Sequence, residues 1–97
     1  MKRVNIVFDN YLDDVDIIEV PNDILPILEK IVQEFFSWVP TTKDSDYWTV
    51  IDGQKCLAVE TDGFIKWLNN SYCQKAEKAC ILFRHTTYCP EYVTIEF

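Results

Sequence analysis

Four cysteines and one histidine are the side chains with the widest range of chemistry in this 97-residue chain. The set Cys73, Cys80, His85 and Cys89 combines two types of metal ligand, but its spacing matches no standard zinc motif. Cys89 and His85 could meet across a turn as nucleophile and base, yet no obvious residue would orient the imidazole. We therefore predict a structural histidine, reduced and packed thiols that include Cys56, and neither a metal nor a cofactor.

Motifs for phosphate, calcium or acid–base chemistry are also missing from the sequence. The two glycines, Gly53 and Gly63, are each explained by a turn or a helix start, so they do not make a phosphate loop. The Asp-rich segment 9–16 lacks the spacing and the central glycine of an EF-hand. No pair among the sixteen acidic residues is singled out by its spacing. The sequence therefore predicts that the protein is not an enzyme.

Acidic charge is the strongest compositional signal, with a net charge of −7. Residues 1–62 contain 13 acids and 5 bases, whereas residues 63–97 contain 3 acids and 4 bases. The imbalance is sharpest between Asp9 and Asp23, a stretch without a base. Such a surface repels nucleic-acid phosphate and anionic lipid. We therefore expect neither direct nucleic-acid binding nor membrane binding.

Length and composition predict one domain over residues 1–97. A chain of this size with 48% hydrophobic residues buries a single core without disulfides or metals. Asp9 interrupts the N-terminal segment before a signal-peptide core could form, and no stretch approaches the length of a membrane span. We expect a cytoplasmic protein.

The stretch Pro21–Val39 is the longest run with helical periodicity and predicts the organising helix of the fold. Asp23 is its expected N-cap. A second, shorter helix is predicted from Gly63 to Cys73, capped by Thr61 or Asp62.

Six segments have the composition or alternation of strands. They are Arg3–Phe8, Val15–Val20, Tyr47–Ile51, Gln54–Glu60, Ala79–His85 and Tyr92–Phe97. Asp52-Gly53 predicts a type I′ hairpin turn, and the apolar centre of the fifth segment favours an interior strand. The order ββα-ββα-ββ predicts an α+β two-layer sandwich, a mostly antiparallel sheet of about six strands with both helices on one face.

Aromatic residues lie among the acids, which is typical of an interface for a basic partner because rings anchor and carboxylates steer. The candidate binding residues are Asp9, Tyr11, Asp13, Asp14, Asp16, Glu19, Asp44, Asp46, Tyr47 and Trp48. The competing interpretations are core packing for Trp48 and a solvated hairpin end for the Asp cluster. Our preferred hypothesis is a small acidic inhibitor or interaction protein whose carboxylates replace phosphates in the basic channel of a nucleic-acid enzyme.

In size, acidity and lack of catalytic motifs the chain resembles phage-encoded anti-CRISPR proteins, and it is similar in kind to bacterial immunity proteins that neutralise nuclease toxins. The resemblance implies nucleic-acid mimicry; it covers no specific motif and carries over no functional residue. Two alternatives remain open. One is a protein that binds or sequesters a small ligand in an aromatic pocket between helices and sheet. The other is a homodimer formed by edge pairing of Tyr92–Phe97.

Overall fold

The computed structural model describes residues 1–8, 11–73 and 77–97, and in them six strands and two α-helices form an α+β fold, as predicted. In chain order the elements are β1 (Lys2–Val7), β2 (Val15–Val20), α1 (Leu28–Trp38), β3 (Trp48–Ile51), β4 (Gln54–Leu57), α2 (Thr61–Ser71), β5 (Cys80–Thr86) and β6 (Val93–Glu96). Single 3₁₀ turns occupy Leu25–Ile27, Val39–Thr41 and Ser45–Tyr47.

The strands form two sheets, and this differs from the prediction of one sheet of about six strands. Four strands pair in the order β5-β2-β1-β6, while β3 and β4 pair only with each other in the described residues. The β1–β2 and β2–β5 pairs are antiparallel, and β1–β6 is parallel. Alternation within a segment identifies a strand, but it does not identify the neighbour to which that strand hydrogen-bonds.

The interior position predicted for the fifth strand is wrong, because β5 lies at an edge of the four-stranded sheet. Ile81 packs against the core, whereas Phe83 keeps 51% of its surface exposed. Register irregularities in the β2–β5 pair lie beside Val15 and Ile17, and His85 takes a φ of 51°. The apolar residues at the centre of β5 therefore do not show that both faces of the strand are buried.

The organising helix is shorter than the periodic run that predicted it. Pro26 lies in the 3₁₀ turn, and the α-helix begins at Leu28 without a side-chain cap from Asp23. The buried face of α1 contains Leu28, Ile31, Val32 and Phe35. It packs on the sheet face that carries Val4, Ile6, Ile18 and Val20. The amphipathic face therefore agrees with the prediction, whereas the helix begins later than the predicted N-cap at Asp23 implies.

Aromatic rings fill the space between the helices and the four-stranded sheet. Phe35 is fully buried, and its ring centroid lies 5.2 Å from those of Phe64 and Trp67 and 6.2 Å from that of Tyr47. The pairs with Phe64 and Tyr47 are edge-to-face, an arrangement that stabilises beyond the burial of apolar area. The rings that the aromatic-pocket alternative would use are therefore packed on one another in the core.

The hairpin turn between β3 and β4 agrees with its prediction. Asp52 has φ 51° and Gly53 has φ 78°. A type I′ turn requires positive φ at both central residues, and Asp-Gly supplies it at little cost.

The other face of the sheet carries a smaller core. Val7, Val15 and Ile17 are buried there, with Tyr88 and Tyr92 packed against them. On the same strand as Val7, Asn5 is fully buried, and its side chain holds the segment that follows β5. This segment therefore covers the sheet face away from the helices.

Candidate functional site

Two aspartates at the start of β2 meet the end of β5. Nδ1 of His85 lies 2.8 Å from Oδ1 of Asp14, and the backbone N–H of His85 donates to Oδ1 of Asp16 over 3.1 Å. The hydrogen bond and the charge of Asp14 raise the pKa of His85 above its ordinary value. The antiparallel β2–β5 pairing brings together residues about 70 positions apart.

Asp16 also connects the sheet to the first turn of α2. Its Oδ2 accepts a 2.6 Å hydrogen bond from Oγ1 of Thr61, which is buried. The next residue, Asp62, accepts two bonds of 2.7 and 2.6 Å from the guanidinium of Arg84 in β5. These bonds hold the pKa of Asp62 below its usual range. Carboxylates at a helix N-terminus are also stabilised by the helix dipole.

One turn further along α2, Lys66 lies between two carboxylates of the loop before β3. Its Nζ is 2.7 Å from Oδ2 of Asp44 and 2.7 Å from Oδ2 of Asp46. The hydrogen bond from Lys66 is the main reason that the pKa of Asp44 is lowered. Oδ1 of Asp44 accepts from the backbone N–H of Asp46 at 3.0 Å, so the loop itself orients both acids.

These contacts join carboxylates from three parts of the sequence into one surface, which we name the acidic band. It consists of Asp14, Asp16, Asp44, Asp46, Glu60 and Asp62. Asp46, Glu60 and Asp62 border one concavity of about 300 Å³, which Lys66 also lines. The band is thus a continuous strip that crosses the N-terminus of α2.

Two further predicted residues adjoin the band. Tyr11 is 64% exposed and, with Phe8, Asp14, Asp16 and His85, lines a cavity of about 260 Å³. Asp13 is exposed in the same turn. Asp9, the remaining predicted residue of that turn, lies outside the described residues.

Three other predicted residues do not join the band. Tyr47 is 1% exposed and donates a 2.9 Å hydrogen bond from its hydroxyl to the carbonyl of Gly63, so it belongs to the core and not to the surface. Trp48 is half-buried, and its Nε1 donates to the carbonyl of Thr42 at 2.8 Å. Glu19 lies toward the other end of β2, opposite Arg3. Alternation along β3 did not reveal that Tyr47 precedes the strand and turns inward.

Four residues of this region were missed by sequence reasoning. They are Glu60, Asp62, Lys66 and Arg84. A signal for the first two was present, because acids are typical of the N-terminal end of a helix. Lys66 and Arg84 gave none, since each pairs with acids 20 to 22 positions away in sequence.

The band offers fixed negative charge and hydrogen-bond acceptors. In the described part of the chain, no three His, Cys, Asp or Glu side chains are grouped to hold a metal ion. All four cysteines are free thiols. None of the described helices has the length and apolar character needed to cross a membrane. A scan against protein-family models and searches of curated proteins and of solved structures found no match.

Proposed function

We propose that the protein is an acidic interaction protein, acting as an inhibitor, that binds a basic surface of another macromolecule through the acidic band. The observation that carries the proposal is the convergence of six carboxylates on one strip of surface, where Lys66 and Arg84 are the permanent cations that form ion pairs with them. A strip with this excess of one sign steers a partner of opposite charge and fixes its orientation.

The internal ion pairs support binding because they order the carboxylates in advance. Each carboxylate has two oxygens and about four acceptor positions, so Asp44, Asp46 and Asp62 retain capacity after they bond Lys66 and Arg84. Because these side chains are already ordered in the free protein, they lose less conformational entropy when a partner binds. Lys66 and Arg84 thus act as positioning residues for the acids.

Tyr11 is the candidate anchor for the same surface. It is mostly exposed beside Asp14 and Asp16 at the rim of a small cavity. An exposed tyrosine supplies a large rigid contact with a polar end, and such residues dominate binding energy at interfaces.

A nucleic-acid-binding enzyme is the partner whose chemistry best fits the band. Such enzymes present clefts of lysine and arginine that normally hold phosphates. A strip of ordered carboxylates offers the same charge and the same acceptor oxygens, so it competes for those cations.

The test uses two variants that change net charge equally. The band variant carries Asp14→Asn, Asp46→Asn and Glu60→Gln, which leaves Asp16, Asp44 and Asp62 to hold Thr61, Lys66 and Arg84. The control variant carries Asp52→Asn, Glu77→Gln and Glu91→Gln, all at exposed positions outside the band. A partner captured from lysate is purified, and its affinity is measured with each variant at low and moderate salt.

We expect the band variant to bind about tenfold more weakly than the control variant, with a weaker dependence on salt. Equal affinities for the two variants would remove the band from the mechanism. A short duplex oligonucleotide should compete with the protein for its partner. If it does not compete while the band variant still binds weakly, the partner is basic but is not held at a nucleic-acid site.

A further inference from the structure

A groove separates the first half of α1 from the edge strand β6, on a part of the molecule distinct from the acidic band. Its volume is about 570 Å³, within the range of ligand-binding clefts. The lining residues are Leu25, Pro26, Leu28, Glu29, Val32 and Gln33 from the helical side and Val93, Thr94, Ile95 and Glu96 from the strand. All four residues of β6 therefore border the groove.

The backbone of β6 presents free hydrogen-bonding groups toward this groove. The N–H of Phe97 donates to the carbonyl of Val7 in β1 at 2.8 Å. Because alternate residues of a strand face the same neighbour, Val93 and Ile95 also face β1. The N–H and C=O groups of Thr94 and Glu96 consequently face away from β1. In the described part of the chain β6 is the outermost strand on that side.

The side chains of the groove favour an apolar strand with basic residues. Ile95 and Leu28 are buried in its floor, while Val93 is 48% exposed and lies on the same face of the strand as Ile95. Glu29 is exposed on the helical side, and Glu96 is exposed on β6, where alternation turns its side chain to the face opposite Ile95. Neither forms an ion pair with a described base. An incoming strand would thus meet the aliphatic floor and Glu29 on one face and Glu96 on the other.

We propose that this groove binds an extended peptide segment of another protein by addition of a strand to β6, with alternate apolar side chains in the floor and a lysine or arginine against Glu29 or Glu96. Main-chain hydrogen bonds to Thr94 and Glu96 supply affinity, and the floor and the two carboxylates supply selectivity. A second copy of this chain is a poorer occupant, because its β6 carries no base and would bring a second Glu96.

The probe is a five-residue peptide of sequence KVTVK with blocked termini, and its controls are EVTVE and KVTVK N-methylated along its backbone. Backbone amide shifts are followed by NMR during each titration. We expect KVTVK to perturb β6 and the first half of α1, and both control peptides to bind at least about tenfold more weakly.

Two protein variants separate the groove from general electrostatic attraction. Thr94→Pro removes one outward N–H at an edge position that tolerates proline, and it should abolish binding of KVTVK. Thermal unfolding checks that this variant is folded; if it is not, the N-methylated peptide on the unaltered protein tests the same hydrogen bonds. A groove variant, Glu29→Gln with Glu96→Gln, removes two negative charges and should bind KVTVK more weakly. The band variant (Asp14→Asn, Asp46→Asn, Glu60→Gln) removes three, yet its affinity for KVTVK should be unchanged.

Three results would overturn the proposal. The first is equal binding of the N-methylated peptide, because strand addition would then not contribute. The second is a set of shifts confined to the acidic band. The third is self-association in sedimentation that Thr94→Pro abolishes, with no binding of KVTVK, because the occupant would then be a second copy of this chain.

Discussion

The hydroxyl of Thr61 donates a 2.6 Å hydrogen bond to Oδ2 of Asp16, and this contact ties the first turn of α2 to strand β2. Asp16 uses its other oxygen to accept from the backbone N–H of His85. One carboxylate therefore positions the start of a helix and the end of an edge strand. The acidic band is continuous because of this residue.

Replacing Thr61 by valine keeps the shape of the side chain and removes the hydroxyl. Because the lost hydrogen bond has a charged acceptor, we expect the free energy of unfolding to fall by about 2 kcal/mol. Asp16→Asn keeps one oxygen to accept from the N–H of His85, and its amide N–H can donate to the hydroxyl of Thr61, so it should cost less, about 1 kcal/mol. Urea unfolding of both variants measures the difference, and a larger loss for Asp16→Asn would show that the charge and not the hydroxyl stabilises the junction.

Gly63 is required by its contact with Tyr47. A Cβ added at Gly63 would lie 2.7 Å from Cε1 of the Tyr47 ring, which is buried and held by its hydroxyl. Although alanine favours helix, we expect Gly63→Ala to lower the free energy of unfolding by about 1–2 kcal/mol. In a Tyr47→Leu background the same change should be neutral or stabilising. Additive effects in this double-mutant cycle would contradict the steric explanation.

The ion pair of His85 with Asp14 predicts a pH dependence. The folded-state pKa of His85 is raised above its ordinary value near 6.5. The pair therefore stabilises the fold fully below pH 6.5, and this contribution disappears as pH rises through the raised pKa. An NMR titration should show the pKa of His85 falling toward its ordinary value in Asp14→Asn. An unchanged histidine pKa would show that Asp14 does not hold the ring in solution.

Asn5 fixes the segment that follows β5. Its Nδ2 donates to the carbonyl of Cys89 at 2.8 Å, and its Oδ1 accepts from the N–H of Cys89 at 3.2 Å. Asn5→Ala leaves both groups without this partner, so we expect a loss of about 2 kcal/mol in the free energy of unfolding and faster amide exchange at Cys89. The matched control is Thr94→Ala, which loses only a 3.4 Å contact with Asn5 and should leave the exchange rate nearly unchanged.

The acidic band could be predicted in part. The charge of the hairpin end was visible in Asp13, Asp14 and Asp16, and the structure brings the last two together with Asp44 and Asp46 on one strip. Exposure was harder to predict than charge. Tyrosine is a typical interface anchor, yet Tyr47 lies in the core, where its hydroxyl donates to the carbonyl of Gly63.

By itself the sequence determined the features that depend on near neighbours. Periodicity identified both helices and all six strands, and Asp52-Gly53 specified the hairpin turn through positive φ at both positions. Composition also showed that the acids are concentrated in residues 1–62.

Only the tertiary structure decided which strands share a sheet and which charges meet. Lys66 and Arg84, from the more basic part of the chain, pair with acids 20 to 22 positions earlier, and His85 pairs with Asp14 across 71 positions. Part of the charge asymmetry seen along the sequence is thereby neutralised within the fold. The physical reason is that strand pairing and helix packing bring distant residues together, whereas a local pattern records only which face each residue prefers.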